Sequence, residues 1–272
     1  RNLTNELNEK NLYVQGATAT KDKVEVSINQ NKYRSYTRAT GRTARVVSSL
    51  APNRIETIVV AHMNPNNTEI SRVSIERHKF DKAVKGKSSP EELLLTADMS
   101  APDTQHYKSA EFKPIVKLPD YVWKMGPALK SHIGGPEAFF LGQVWWKTDF
   151  TILIRRGLTL SSSVGIDIYN NFNELNNPSA SELPHVRSDI QDYLKEGETN
   201  IARLKLDYVW SPYKELYARI DVGLFEEMFG GIGGEILYKP FTSDTAIGFV
   251  AHKVKQRDFD QLFSFRDYET TT

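Results

Sequence analysis

Four arginines, Arg34, Arg38, Arg42 and Arg45, recur at spacings of four, four and three. On a helix that spacing gathers their side chains on one stripe. A guanidinium forks onto a carboxylate or phosphate through two parallel N–H donors, so the stripe suits an anionic polymer or lipid head groups. A solvated helix face is the alternative reading. His185, Arg187 and Asp189 stand together in LPHVRSDI and carry the residue types of a catalytic cluster. A loop folded into a barrel mouth and fixed by ion pairs explains the same three residues without chemistry. Arg257, in KQRDFD, falls at a charge-dense strand end that could line a polar lumen or a loop network. These eight residues are the candidate contacts for a polysaccharide or partner. No catalytic residue is assigned, because no nucleophile, base and orienter assemble from the sequence.

Other motifs carry less. The run GGIGG at Gly230–Gly234 has strands on both sides rather than the strand–loop–helix context of a phosphate loop, so a tight loop with positive φ is expected. The six histidines show no His-x3-His spacing, and cysteine is absent. Disulfides, zinc–cysteine sites and thiol catalysis are thereby excluded, and no metal or cofactor is expected. With 35 lysines and arginines against 34 acidic residues, the net charge of +1 gives no global field for nucleic acid, which is not expected as a partner.

The elements that must position these residues fall into two halves. Residues 1–100 read as a small α/β domain of periplasmic type. Thr4 is expected to cap a short helix through Leu12; Tyr13–Ala19 and Lys23–Ile28 form a hairpin turning at Thr20–Asp22. Asn31 is placed as the N-cap of a helix over Lys32–Leu50, which presents Tyr33, Tyr36, Thr40, Ala44, Val47 and Leu50 on one face. Strands are expected at Arg54–His62 and Glu69–Phe80, and Ser89-Pro90-Glu91-Glu92 is a capping box opening a short helix. Residues 101–137, with prolines at 102, 114, 119 and 127, read as a linker with extra strands at Lys113–Lys117 and Tyr121–His132 and a turn at Gly134–Pro136.

From 138 to 272 the pattern becomes a two-residue period. Apolar side chains stand at Trp146, Phe150, Ile152 and Ile154, then from Leu158 to Ile168, Leu204 to Trp210 and Leu216 to Leu224, while Asp149, Arg203, Lys205, Arg219 and Asp221 fill the opposite face. Tight turns alternate with longer loops: Arg156-Gly157, a long excursion from Asn170 to about Glu198, Ser211–Lys214, a medium loop over Glu226–Gly233, and Pro240–Thr245. Strands of about ten residues with aromatics at their ends are the pattern of an outer-membrane antiparallel β-barrel. A soluble β-sandwich alternates in the same way and remains the alternative. The fold class is therefore α+β, an N-terminal α/β domain followed by barrel strands.

The combined motifs TRATGRTARVVSSLAP, GPALKSHIGGPEAFFLGQVWW, GIDIYNNFNEL, LPHVRSDI, DYLKEGETNIARLKLDY, LYARIDVGLFEEMFGGIGGEILYKPF and VKQRDFDQLFSFRDY resemble the YjbH family of Gram-negative exopolysaccharide and capsule proteins, with its GfcD and WbfB relatives. The resemblance covers most of the chain. It implies an outer-membrane location with a periplasmic domain and a non-enzymatic role in secreting or assembling a surface polysaccharide. It also implies other secretion proteins and outer-membrane lipid as partners, and a longer protein of which this is a fragment. Six or seven strands left open would expose unpaired backbone groups to lipid, so further strands are expected to complete the wall. A polysaccharide lyase or hydrolase on a β scaffold, and a purely structural scaffold of the secretion machinery, are the competing functions.

Overall fold

The computed structural model describes residues 2–64, 68–103, 109–115, 118–133, 140–175 and 189–272. It is an α+β structure with two sheets, one of five strands and one of eight. By contact the chain divides into Arg1–Val116 with Trp210–Ala218 and Leu237–Gly248, and the remainder.

The five-stranded sheet runs β1 (Leu12–Ala19), β2 (Lys23–Gln30), β3 (Thr57–Met63), β4 (Glu69–Glu76), β5 (Asp98–Ser100), in that spatial order. All four pairings are antiparallel except β2–β3, which is parallel and bridged by helix α2 (Tyr36–Leu50). A parallel pair needs such a crossover. Val26 and Ile28 on β2, Ile58 and Val60 on β3, and Val73 and Ile75 on β4 bury against Ala39, Ala44, Val46 and Val47 of α2.

Local chemistry moves several boundaries from where the sequence places them. Helix α1 is Leu3–Asn8, and its cap is Asn2, which accepts the Thr4 N–H, rather than Thr4 itself. It stops before Leu12 because Asn11 turns to φ +59 and Leu12 opens β1. Helix α2 begins at Tyr36, not Lys32: the Gln30 side chain holds both the N–H and the carbonyl of Tyr33, and the Ser35 hydroxyl accepts the Arg38 N–H. Arg34 therefore precedes the helix. The strand expected to run to Phe80 ends at Glu76 and gives way to helix α3 (Arg77–Val84), which buries Phe80 in the core. Arg77 explains the break. Its guanidinium donates to the carbonyls of Ser48, Ala51, Pro52 and Ile55 and to the Ser48 hydroxyl. A cation is thereby placed where the last carbonyls of α2 lack helical partners and the helix dipole is negative. Helix α4 (Pro90–Thr96) opens with the expected cap, the Ser89 hydroxyl accepting the Glu92 N–H.

The eight-stranded sheet is formed by β6 (Asp120–Ile133), β7 (Phe140–Arg155), β8 (Leu158–Asn170), β9 (Asn200–Tyr213), β10 (Leu216–Leu224), β11 (Phe229–Tyr238), β12 (Ile247–Arg257) and β13 (Phe265–Thr271). Its spatial order is the sequence order, a meander. The long connection after β8 holds a 3-10 turn (Phe172–Glu174) and helix α5 (Ile190–Glu196). Register fixes the faces. Tyr121, Ile152, Leu160 and Leu206 pair across β6–β9 in one apolar row, and Trp123, Phe150, Ser162 and Leu204 in the next. Lys124, Asp149, Ser163 and Arg203 form a row on the opposite face. Much of the apolar side is open, with Trp123, Ile166, Ile168, Ile220 and Ile232 each about half exposed or more. Among the described residues no ladder joins β13 to β6, so a closed barrel is not formed by these strands.

Three details correct the sequence reading of this sheet. β7 starts at Phe140, six residues before the expected Trp146, because Leu141 is buried with Phe172, Leu175 and Leu194. The GGIGG run lies inside β11 rather than in a loop, and none of its glycines has positive φ. Close approach explains the glycines: a Cβ on Gly231 would stand 2.2 Å from the Lys253 carbonyl oxygen, and one on Gly233 would strike the His252 ring. Finally, Phe265–Thr271 is an eighth strand, paired to β12 as Lys253 to Thr271 and Lys255 to Glu269. The expected strand at Lys113–Lys117 is replaced by one isolated bridge, Ala17 to Phe112, with Val116 and Lys117 and the Gly134–Pro136 turn outside the described residues.

His62 on β3 shares a 2.7 Å hydrogen bond with the Thr40 hydroxyl and packs edge-on against Tyr36, and burial lowers its pKa to about 4. The unfolded chain, with a histidine near 6.5, binds more protons between those values, so stability falls as pH drops from about 6.5 to 4. Thermal unfolding across that range should show a loss of up to about 3 kcal/mol that a His62→Gln variant lacks; equal pH slopes in the two proteins would contradict this.

Candidate functional site

The predicted arginines meet at a groove on the α/β unit. Gly41, Arg38, Arg42 and Arg45 of α2 form one wall with Lys10, and Phe80, Ala83 and Val84 of α3 with Pro90 and Leu93 of α4 form the other, around a hollow of about 460 Å³. A second hollow of about 600 Å³, lined by Arg34, Ser35, Thr37 and Arg38, shares Thr37 and Arg38 with the first. No acidic side chain lines either one. Among the described residues, none of the four arginines has a carboxylate within ion-pair distance, although the Arg42 guanidinium lies 5.1 Å from the centre of the Tyr33 ring. All four are exposed. The sequence stripe is therefore real from Arg38 to Arg45, and Arg34 joins it through the extended segment that leads into the helix.

The polar face of the eight-stranded sheet is the second feature. It carries Lys147–Asp149, Lys205–Asp207, Arg219–Asp221 and Arg219–Glu235 pairs at 2.7 to 3.6 Å, and His252 stands 3.5 Å from Asp221. Lys130 of β6 reaches both oxygens of Glu227, in the turn after β10, at 2.7 and 2.8 Å. On a flat sheet β6 and β10 would stand about 19 Å apart. The two side chains bridge that distance only because the sheet curls with its polar face concave.

One end of that sheet is closed by a buried network around α5. The Tyr193 hydroxyl donates to the Arg257 carbonyl at 2.6 Å, and Gln261 donates to the Tyr193 carbonyl. Burial pushes the Tyr193 phenol up from its ordinary pKa, so it stays a donor. Arg257 is fully buried and donates to the carbonyls of Glu226, Gln261 and Leu262. The contact role expected of Arg257 is thus replaced by an internal one: its guanidinium ties the turn after β10 to the loop after β12. Asp189 flanks the start of α5 and accepts from Gln256 at 3.3 Å, beside an open hollow that also includes Asp192, Asp258 and Asp267. His185 and Arg187 lie outside the described residues.

A buried carboxylate pair lies on the five-stranded sheet. Glu69 takes a two-pronged bond from Arg72 at 2.8 and 2.9 Å, and Glu25 stands 3.2 Å from the same guanidinium and from Lys23. Burial pushes the Glu69 carboxyl up, and the Arg72 bonds oppose that rise. Both carboxylates are thereby held in one ion cluster facing a cation, which is a way to keep charge inside a sheet.

The family described as "Exopolysaccharide biosynthesis protein YbjH" matches residues 1–272. The chain belongs to the YjbH family. It is 28% identical over 261 residues to "Uncharacterized lipoprotein YjbH" of Escherichia coli (strain K12), an alignment covering 92% of this chain and 36% of that protein. The chain thus spans about a third of the length of that curated relative. No solved structure matches.

In this YjbH-family chain the sequence pointed to the arginine groove and missed what frames it. The Lys130–Glu227 bridge joins residues 97 apart, and no local pattern announces it. Arg77 was hidden because RHKF continues a strand-like stretch. The Arg72 cluster had a visible signal, a two-residue alternation in β4 that puts Arg72 on the face away from Val73. If Arg257 is the tie described above, Arg257→Ala should leave its carbonyl partners unpaired and cost on the order of 3 kcal/mol of local stability. Hydrogen exchange at residues 226–228 and 261–262 would read this as faster amide opening, and unchanged protection would remove the tie.

Proposed function

We propose that this chain is a non-enzymatic part of an outer-membrane apparatus that secretes or assembles an exopolysaccharide, with the eight-stranded sheet as part of a barrel wall. One observation carries the reading: the sheet is curled, with an open apolar face outside and an ion-paired polar face on its concave side. A transmembrane barrel wall has that distribution, apolar toward lipid and polar toward the lumen. A soluble sheet would cover so many exposed isoleucines and aromatics with a second layer. The family description supplies the exopolysaccharide, and the relative from Escherichia coli, named a lipoprotein, agrees with a membrane setting. No helix among the described residues is long and apolar enough to cross a membrane.

The polar face would guide a glycan through many exchangeable contacts. Lys147, Asp149, Lys205, Asp207, Arg219 and Glu235 are paired with each other, so each offers hydrogen bonds without presenting a net field that would trap a polymer. Tight binding would stall passage. Strands β6 and β13 present free edges among the described residues, and a lipid-exposed edge is costly because each unpaired backbone group finds no water. Further strands, from the same protein or another, would complete the wall.

Ile220 is 48% exposed on the apolar face. Ile220→Arg should lower bilayer folding stability by about 2–4 kcal/mol if that face meets lipid near the midplane, whereas a water-exposed site would change by about 0.5 kcal/mol or less. The test is folding of the full-length protein into bilayers, read by heat-modifiable gel mobility and by partition into the outer-membrane fraction. A wild-type protein that stays soluble without detergent and shows no heat shift would overturn the reading.

A further inference from the structure

The groove of α2 has a charge arrangement that its own helix does not favour. A helix N-terminus carries partial positive charge and prefers acidic side chains in its first turn. The first turn of α2 has no acidic residue; Arg38 stands there instead, and Arg34 lies just before the capping Ser35. Arg42 and Arg45 continue the cations along the next turns, again with no carboxylate partner among the described residues. Elsewhere in the same unit arginines are partnered: Arg77 is held by carbonyls, and Arg72 by two glutamates. Arg42 is met by the Tyr33 ring at 5.1 Å, and a cation track otherwise left to solvent suits an anionic ligand.

The shape narrows the ligand. Arg38, Arg42 and Arg45 climb the helix by about 6 and then 4.5 Å along its axis, a spacing comparable to the length of one sugar ring. Their heads line a hollow whose opposite wall is apolar, with Val84 and Leu93 facing in. A linear polymer that carries a carboxylate on successive rings and shows C–H faces between them fits both walls. A flat bilayer surface meets a convex patch more readily than a concave one.

We infer that the α2 groove binds a uronate-type acidic glycan, with Arg38, Arg42 and Arg45 each engaging a carboxylate and Arg34 extending the track beyond the helix start. This rests on the exopolysaccharide reading above and adds to it the chemical class of the polymer and the place where it docks. The arginines select by charge and repeat rather than by sugar identity. Single exposed ion pairs are weak, so the track holds a chain by number while letting each ring exchange.

The test uses the full-length protein in detergent, titrated with oligogalacturonate and, separately, with neutral dextran, polyglutamate and vesicles of phosphatidylcholine with phosphatidylglycerol. Binding of oligogalacturonate, none of dextran, and weakening at high salt are expected. The triple variant Arg38→Gln, Arg42→Gln, Arg45→Gln should bind oligogalacturonate about tenfold more weakly, while Lys85→Gln with Lys87→Gln, outside the groove, should leave it unchanged. Heat-modifiable mobility, measured on every variant, reads the barrel wall and is independent of the groove. Normal heat shift with no uronate binding, with equal binding by the triple variant, or with tighter binding of polyglutamate or of the anionic vesicles, overturns the groove and leaves the wall standing. Loss of the heat shift in the wild type overturns the wall alone.

Discussion

Successive side chains of a strand point to opposite faces, and the eight-stranded sheet depends on that two-residue period being held in register across its strands. A slip of one residue on β8 would turn Leu160 inward and Ser161 outward and would break the row from Tyr121 to Leu206. Asp149, Ser163 and Arg203 share the other face because the same register holds there. Two devices secure it. Gly157 takes φ +80 in the two-residue turn between β7 and β8, and Gly165 lies under the Trp145 ring, where a Cβ would stand about 2 Å from ring carbons. An aromatic ring covering a strand glycine fills the space that the missing side chain leaves.

The α/β unit is organised by a different constraint, the two ends of α2. Ser35 closes the start and Arg77 the finish. Because the Arg77 guanidinium also reaches the carbonyls of Pro52 and Ile55, it sets the path from α2 into β3 and the point where β4 becomes α3. That junction swings α3 alongside α2 and creates the apolar wall of the groove. The groove and the parallel β2–β3 pair thus share one origin: a helix long enough to cross the sheet, held at both ends.

Legibility followed the range of the interactions. The Thr20–Asp22 hairpin, the Ser89 cap and the Arg156-Gly157 turn are local and were readable from a few residues. The alternation in β7 to β10 was readable because each strand repeats it several times. What sequence could not show was decided at a distance. Gln30 holding Tyr33 moved the start of α2, and the His252 ring over Gly233 turned an apparent glycine loop into a strand. The arginine track was visible as spacing, but its concavity was not, since α3 and α4 supply the far wall. Arg257 could be read only as a charge lining a polar lumen or a loop network, because its partners are main-chain carbonyls, which carry no mark in a sequence.

The meander order of the large sheet has a consequence for how the protein is made. Every strand from β6 to β13 pairs with its neighbours in sequence, and most connections are short turns. Contact order in such a sheet is low apart from the stretch before β9, so little loop-closure entropy opposes each new ladder. A chain delivered end first can therefore extend the sheet one hairpin at a time, with no strand waiting for a distant partner. Two edges are unpaired at any moment, the starting strand and the growing one, and an assembly factor would need to shield only those.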